Sequence, residues 1–330
     1  MKRNLLVDRL KGYACFLVLF GHVIMGIRVA GIDIPSFFWG LEKFIWSFHV
    51  ALFLFLSGVV YKVTGEWKGK KTKTGFILYK LYNLGIPYVV FSVVYIAINA
   101  IVGQANTQAS FGDILNIWKT PVAQYWYLYA LFFLFVIWTL LSGYLKNWQI
   151  TVFALVIGYL TPFSGLSLGS LDVAFYSALA FGVGTFIDFE KLSEPSFAVK
   201  LIAIIIHIAA AVFFIIQNKI EAPLIKELMV LLGIYSSIMF ISLIQRIKPF
   251  SRFLDFVNKY SFQIYLLHTI FTAGIRIVLV RINVTSWVIH IIVGTAVGLI
   301  CSVAIAKIAE KVKPLNFFFF PSRAFKKTKI

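Results

Sequence analysis

Ten apolar runs long enough to cross a bilayer dominate this chain and restrict what it can fold into. They fall at about 5–29, 40–62, 76–102, 122–144, 148–163, 171–188, 197–217, 224–246, 260–281 and 284–307. A hydrocarbon core takes about 20 mainly apolar helical residues. Within it every backbone polar group must be paired, so only helices and closed barrels can span. None of the runs alternates polar with apolar residues as a barrel strand does. The fifth and sixth runs are short and punctuated by glycine, so their edges are the least defined. The chain is 60% hydrophobic and 13% charged, which excludes a soluble globular domain. The expected fold class is all-α: a polytopic membrane protein of about ten transmembrane helices. These would form one transmembrane domain over 1–310, followed by a basic cytoplasmic tail over 311–330.

Charge sets the expected orientation. If the N-terminus is inside, 24 of the 31 lysines and arginines fall on the inner side. Arg28, Lys43, Lys119, Lys219, Lys226, Arg276 and Arg281 remain outside. Inner loops carry excess positive charge, so the chain reads as N-in and C-in. The same bias accounts for the net charge of +18 without any nucleic-acid partner. The clusters Lys68–Lys73 and Arg323–Lys329 suit the anionic headgroups of membrane lipids. Lys2 and Arg3 ahead of the first run resemble a signal peptide, but the run is long and no small-x-small cleavage site follows, so it reads as a retained span. Cys15 and Cys301 both fall inside spans; neither a disulfide nor metal-ligand spacing is expected.

Ionisable groups inside a membrane are costly, which makes them candidate functional residues. The stretch DRLKGYACFLVLFGH at 8–22 carries two of them. Lys11 and His22 are eleven residues apart, so on a helix they lie within roughly 20° of one face and about 16 Å apart along the axis. His49 enters the second span at a depth matching His22, and the two imidazoles could face one cavity. Alternatively, each could donate to a backbone carbonyl between packed helices. Ser261, Tyr265 and His268 share a face of the ninth span, which places His268 in its inner half, below the level of His22. Pro87 is the one proline well inside a span; it frees a carbonyl near Asn83 and is expected to kink the third helix. Gln124, Tyr125, Trp126 and Tyr127 fit an outer aromatic belt, and aromatics that stack on a sugar would look the same. Asp172 flanks the sixth span and could orient an imidazole. His207 and His290 stand alone on apolar helices, where structural roles are expected.

These residues carry a resemblance. DRLKGYACFLVLFGH at 8–22, SFHVALFLFLSG at 47–58, QYWYLYALF at 124–132 and YSFQIYLLH at 260–268 resemble, in order and spacing, the integral-membrane acyltransferase family 3. Its members are bacterial O-acetyltransferases of cell-surface polysaccharides. Lys11 and His22 match the family's basic-residue, ten-residue gap, histidine motif. His49 matches its second-span element, and Ser261, Tyr265 and His268 match its late S-x-x-x-Y-x-x-H element. The chain departs from the family ahead of the third-span proline: YKLYNLGIP offers only Lys80 where an arginine pair is usual. The extra extracytoplasmic domain of many relatives is not expected here.

The resemblance implies a multi-pass protein of the bacterial cytoplasmic membrane that moves an acetyl group from cytoplasmic acetyl-CoA to a hydroxyl of an extracytoplasmic polysaccharide or glycolipid. The residue chemistry fits. Lys11 and Lys80 offer cations to the CoA phosphates, with Ser261, Tyr265 and His268 as further donor-binding candidates. A sugar hydroxyl is a poor nucleophile, and a neutral His22 or His49 could take its proton. Trp126, Tyr125 and Asp172 are the acceptor-binding candidates. No metal is expected. Direct attack on the thioester and transfer through an acetyl-imidazole both stay open. The alternative function is a sugar transporter or flippase with a buried-histidine proton relay, against which stands the absence of a detectable repeat or paired broken helices.

Overall fold

The computed structural model describes residues 4–65, 68, 72–102, 110–164 and 171–324. Among them every regular element is helical. Eight helical stretches, some of them made of consecutive helical elements, are long and apolar enough to cross a membrane: Leu5–Val29, Ser36–Val63, Lys73–Ile101, Ala123–Leu141, Phe197–Ile216, Pro223–Ile244, Ser261–Arg281 and Trp287–Lys311. They correspond to eight of the ten apolar runs. The other two are the glycine-punctuated ones. They form a shorter helix, Asn147–Ser164, and a pair, Leu171–Tyr176 and Ala178–Phe186, interrupted at Ser177. The chain is therefore an all-α polytopic membrane protein.

It folds into two compact units. The first takes Met1–Leu56 and Ile187–Val303, the second Ser57–Phe186 and Ala304–Ile330. In the first unit, α1 (Leu5–Val29) starts where the Asn4 side chain accepts from the amides of Leu6 and Val7, at 3.0 and 3.2 Å. That satisfies two donors every helix start leaves open. The second apolar run is not one helix. α2 (Ser36–Trp46) ends and α3 (His49–Val63) begins across Ser47 and Phe48. There the Ser47 hydroxyl donates to the Phe44 carbonyl at 2.7 Å.

α4 (Phe197–Ile216) buries Ala203, His207 and Ala211, spaced every four residues, and exposes much of its remaining apolar surface, Ile202, Ile205, Ile206, Phe213 and Ile216 among it. One narrow stripe packs and the remainder suits lipid. α5 (Pro223–Ile244) is its neighbour, as expected for sequential helices joined by a short turn. The segment between the eighth and ninth runs, which carries Lys248, Arg252 and Lys259, folds as α6 (Lys248–Lys259). Ser251, Leu254 and Val257 are buried along one side, while Arg252, Phe256 and Lys259 are exposed. α6 lies against α1 at Gly12, where a Cβ would collide with the Leu254 carbonyl oxygen and stand 3.0 Å from its carbon. Arg9 locks the pair, donating Nε and Nη2 to the Asp255 carboxylate at 3.1 and 3.3 Å. α7 (Ser261–Arg281) and α8 (Trp287–Lys311) follow, with α8 running on into the second unit.

In the second unit, Lys73–Lys80 leads through a π-helical turn, Leu81–Gly85, into Ile86–Val102. The widened turn absorbs the hydrogen bond that Pro87 cannot make. Nearby, the Asn83 amide donates to the Tyr79 carbonyl at 2.6 Å. Beyond Lys311 the chain forms Lys313–Phe319 and Pro321–Ala324, and Phe319 is buried with its ring 5.1 Å from that of Phe91. The predicted basic tail is thus docked at its start. Lys70, Lys71 and the cationic residues after Ala324 lie outside the described residues.

Candidate active site

The first unit holds all five histidines of the chain. Three converge from three helices. The His22 ring on α1 lies 5.0 Å from that of His268 on α7 and 5.2 Å from the Trp46 ring at the end of α2. Trp46 in turn meets His49, the first residue of α3, at 5.3 Å. The indole touches both imidazoles edge-on. Trp46 is a member of the cluster that sequence reasoning missed; an interfacial tryptophan carries no signal of its own.

The helix break explains why His49 sits here. Its Nδ1 bonds the Ile45 carbonyl at 2.7 Å, across the gap between α2 and α3. His268 does the same within α7, with Nδ1 at 2.8 Å from the Ile264 carbonyl and 3.0 Å from that of Tyr265. A carbonyl only accepts, so in both rings Nδ1 carries the proton. In the neutral ring Nε2 then offers its lone pair. The Nε2 of His268 and the Nδ1 of His22 are both buried without a hydrogen-bond partner in the protein. Both nitrogens keep their hydrogen-bonding capacity within the cluster.

His268 corrects a sequence expectation. The sequence pattern places it below His22; in the structure its ring lies 5.0 Å from that of His22. The reason is α6. With Gly12 packed on Leu254, the start of α7 is carried up along α1, and the Cys15 thiol meets the Ser261 carbonyl at 3.5 Å. α7 therefore begins about ten residues, or roughly 15 Å, further along than α1 does. His268, the eighth residue of α7, then meets His22.

Lys11 is half-buried on α1, which is unbroken from Leu5 to Val29, so the shared stripe with His22 holds. Tyr265 is buried and Ser261 opens α7. Neither cysteine is in a disulfide. At the other end of α1, Arg28 donates Nε and Nη2 to Glu42 of α2 at 3.0 and 2.9 Å, a two-pronged pair that fixes the helix bearing Trp46. His207 stands apart from the cluster, bonded to Ser236 at 2.6 Å and packed on Phe44 and Phe48. His290 bonds the Val284 carbonyl through Nε2 at 2.8 Å, yet it also lines a small pocket that includes His22.

The remaining candidates belong to the second unit. The Lys80 ammonium sits 3.5 Å from the centre of the Phe135 ring. Tyr125 is fully buried and meets Tyr95 edge-on, while Trp126 is half-buried. Asp172 lies in the first turn of Leu171–Tyr176. The histidines of the chain all belong to the other unit. Among the described residues no group of His, Cys, Asp and Glu side chains could hold a metal ion.

A protein-family model described as an acyltransferase domain matches residues 4–307. No curated protein and no solved structure gives a match.

Proposed function

The chain belongs to the acyltransferase family 3 and is a membrane acyltransferase; from this and the histidine cluster we propose that it transfers an acetyl group from cytoplasmic acetyl-CoA to a hydroxyl of an extracytoplasmic glycan or glycolipid. The observation that carries the proposal is the meeting of His22, His268 and, through Trp46, His49 in one unit.

In this reading the N-terminal end of α1 faces the cytoplasm of a bacterium, as the distribution of lysine and arginine favours. Lys11 and the cations of α6 receive the CoA phosphates. The thioester reaches along the Lys11–His22 stripe. His22 takes the proton of the acceptor hydroxyl as its oxygen attacks the thioester carbonyl. A carbon–oxygen bond forms, the carbon–sulfur bond breaks, and CoA leaves as a thiolate that recovers the proton. His49 and His268 are held by backbone carbonyls, in the manner of bases oriented by a third group. They position His22 and the carbonyl. Lys80, Trp126 and Asp172 carry no part of this proposal.

The test is thiol release from acetyl-CoA by purified protein with native membrane glycan. Wild type should release CoA, His22→Ala should be inactive, and Lys11→Ala should chiefly weaken acetyl-CoA binding. A folded wild type that neither binds nor turns over acetyl-CoA would overturn the proposal.

A further inference from the structure

α2 exposes a stripe that ends on the histidine cluster. Trp39, Lys43 and Trp46 are spaced four and three residues apart, so they share one face of the helix. Trp39 is 53% exposed and Trp46 36%. The opposite side is packed: Glu42 takes the Arg28 fork, and Ile45 is buried. α2 is thus anchored on the side away from the stripe. Trp46 meets His22 with ring centres 5.2 Å apart and planes at 88°, and His49 at 5.3 Å and 79°. Its indole nitrogen lies 3.6 Å from where a Cβ of Gly21 would stand, so the N–H edge is turned towards α1 at the residue before His22. His49 and His268 are fully buried, whereas His22 is half-buried. The exposed ring therefore adjoins the one member of the three that is not sealed from outside.

Lipid and acceptor are the two occupants to weigh for such a stripe. Tryptophans of an aromatic belt sit at the level of the headgroups. Trp39, in the first turn of α2, fits a belt. Trp46 does not: it lies seven residues, or about 10 Å, further along the helix, at the level of His22. The surface that suits lipid on α4 is aliphatic, with Ile202, Ile205, Ile206 and Ile208 exposed. The α2 stripe instead sets an ammonium between two indoles, and that ammonium donates to the Asn218 side chain at 3.3 Å. Flat apolar rings that carry an N–H, beside polar groups, match the mixed surface of a sugar, whose ring C–H bonds stack and whose hydroxyls hydrogen-bond. The stripe is also continuous with the base. A pyranose laid on Trp46 has its hydroxyls beside His22, and a second ring of the same chain falls towards Trp39.

We infer that the exposed face of α2 from Trp39 to Trp46 is the acceptor track, on which an oligosaccharide stacks its rings against the two indoles and presents a hydroxyl to His22. What happens at His22 rests on the transfer reading above. The track names the acceptor class: a glycan longer than one sugar, with mainly equatorial hydroxyls that leave the C–H face of each ring clear. Trp39 is then a binding residue remote from the reacting atoms, and Trp46 holds the sugar that borders the base.

The test uses the full chain in lipid nanodiscs, acetyl-CoA, and mono-, di- and tetrasaccharide fragments made by partial hydrolysis of native membrane glycan. Fragment binding is read by ligand-observed NMR, and thiol release is followed against fragment concentration. Wild type should favour the longer fragments over the monosaccharide. Trp39→Leu keeps apolar bulk and removes the flat ring. It should raise the tetrasaccharide concentration for half-maximal release roughly tenfold, the effect of losing one stacking contact, and leave the maximal rate and acetyl-CoA binding within about twofold. Its response to the monosaccharide should not change. Trp46→Leu should weaken every fragment, and Trp46→Phe should recover part of the loss. Trp39 is exposed in the first turn of α2, so its variant decides the matter even where Trp46→Leu unfolds. Equal use of mono- and tetrasaccharide by wild type, or a Trp39→Leu protein that handles both as wild type does, overturns the inference and leaves the stripe to lipid. The two readings fail separately. Thiol release indifferent to Trp39→Leu keeps the transfer reading and sinks the track. Tetrasaccharide binding lost in Trp39→Leu, without thiol release from any fragment, does the reverse.

Discussion

Gly12→Ala tests how the cluster is built. A Cβ at Gly12 overlaps the Leu254 carbonyl oxygen and would stand 3.0 Å from its carbon and 3.2 Å from the Asn258 nitrogen. These are backbone atoms of α6 and cannot swing aside as a side chain can. Restoring ordinary contact near 3.5 Å requires α6 to retreat by about 1 Å. The Arg9–Asp255 pair, now at 3.1 Å, resists that movement. Overpacking of this kind costs about 1–3 kcal/mol. The retreat also shifts the start of α7 and so moves His268 from His22. Misplacing reacting groups by about 1 Å can cost roughly 10²-fold in rate. The control is Gly274→Ala on the same α7, where an added Cβ meets nothing within 4 Å. It should be neutral, or stabilising by up to about 1 kcal/mol through helix propensity. Thermal unfolding and acetyl-CoA turnover of the two purified variants decide the matter. If Gly12→Ala is as stable and as active as Gly274→Ala, the account of how α6 sets the height of His268 is wrong.

Three further perturbations follow from particular contacts. Gly233→Ala places a methyl against the Cβ of Phe48, at the break that presents His49; turnover should fall more than melting temperature, which parallel assays would resolve. Arg28→Ala leaves the buried Glu42 carboxylate without its fork, so chemical unfolding should show a loss of about 1–3 kcal/mol, with Arg28→Lys losing less. Lys80→Met removes the ammonium over Phe135, and the same measurement should register about 0.5–2 kcal/mol.

The spans were legible because hydrophobic length is a strong signal, and eight of the ten runs became helices of crossing length. What the sequence hid was tertiary. α6 is too short and too charged to count among the apolar runs, and its buried Ser251, Leu254 and Val257, the Arg9–Asp255 pair and the contact at Gly12 show it to be a packed element. With α6 unseen, α1 and α7 are assumed to start at one level, and His268 falls too low. The break at Ser47–Phe48 has no proline or glycine to mark it, so His49 looked like a residue inside a continuous helix. Of the readings offered for His49, the carbonyl bond is present at its Nδ1, and its ring packs on Trp46, which also packs on His22. Arg276 appeared to be an interfacial cation, since nothing in its neighbours reveals that Gly26 makes room for it. Cys15 meets Ser261 rather than the other cysteine, a contact that depends wholly on the register of α7 against α1.

The claim that acyl transfer is centred on His22 is tested most directly by comparing two buried histidines of the same unit. Radiolabelled acetyl transfer from acetyl-CoA to native membrane glycan would be measured in proteoliposomes for His22→Gln and His207→Gln. His207 packs on Phe44 and Phe48 outside the cluster and serves as the structural control. The account predicts that His22→Gln loses about 10²–10⁴ in rate, the span of general-base effects, while still binding acetyl-CoA. His207→Gln should retain activity within a few-fold. Equal losses in the two variants, or an active His22→Gln, would contradict it.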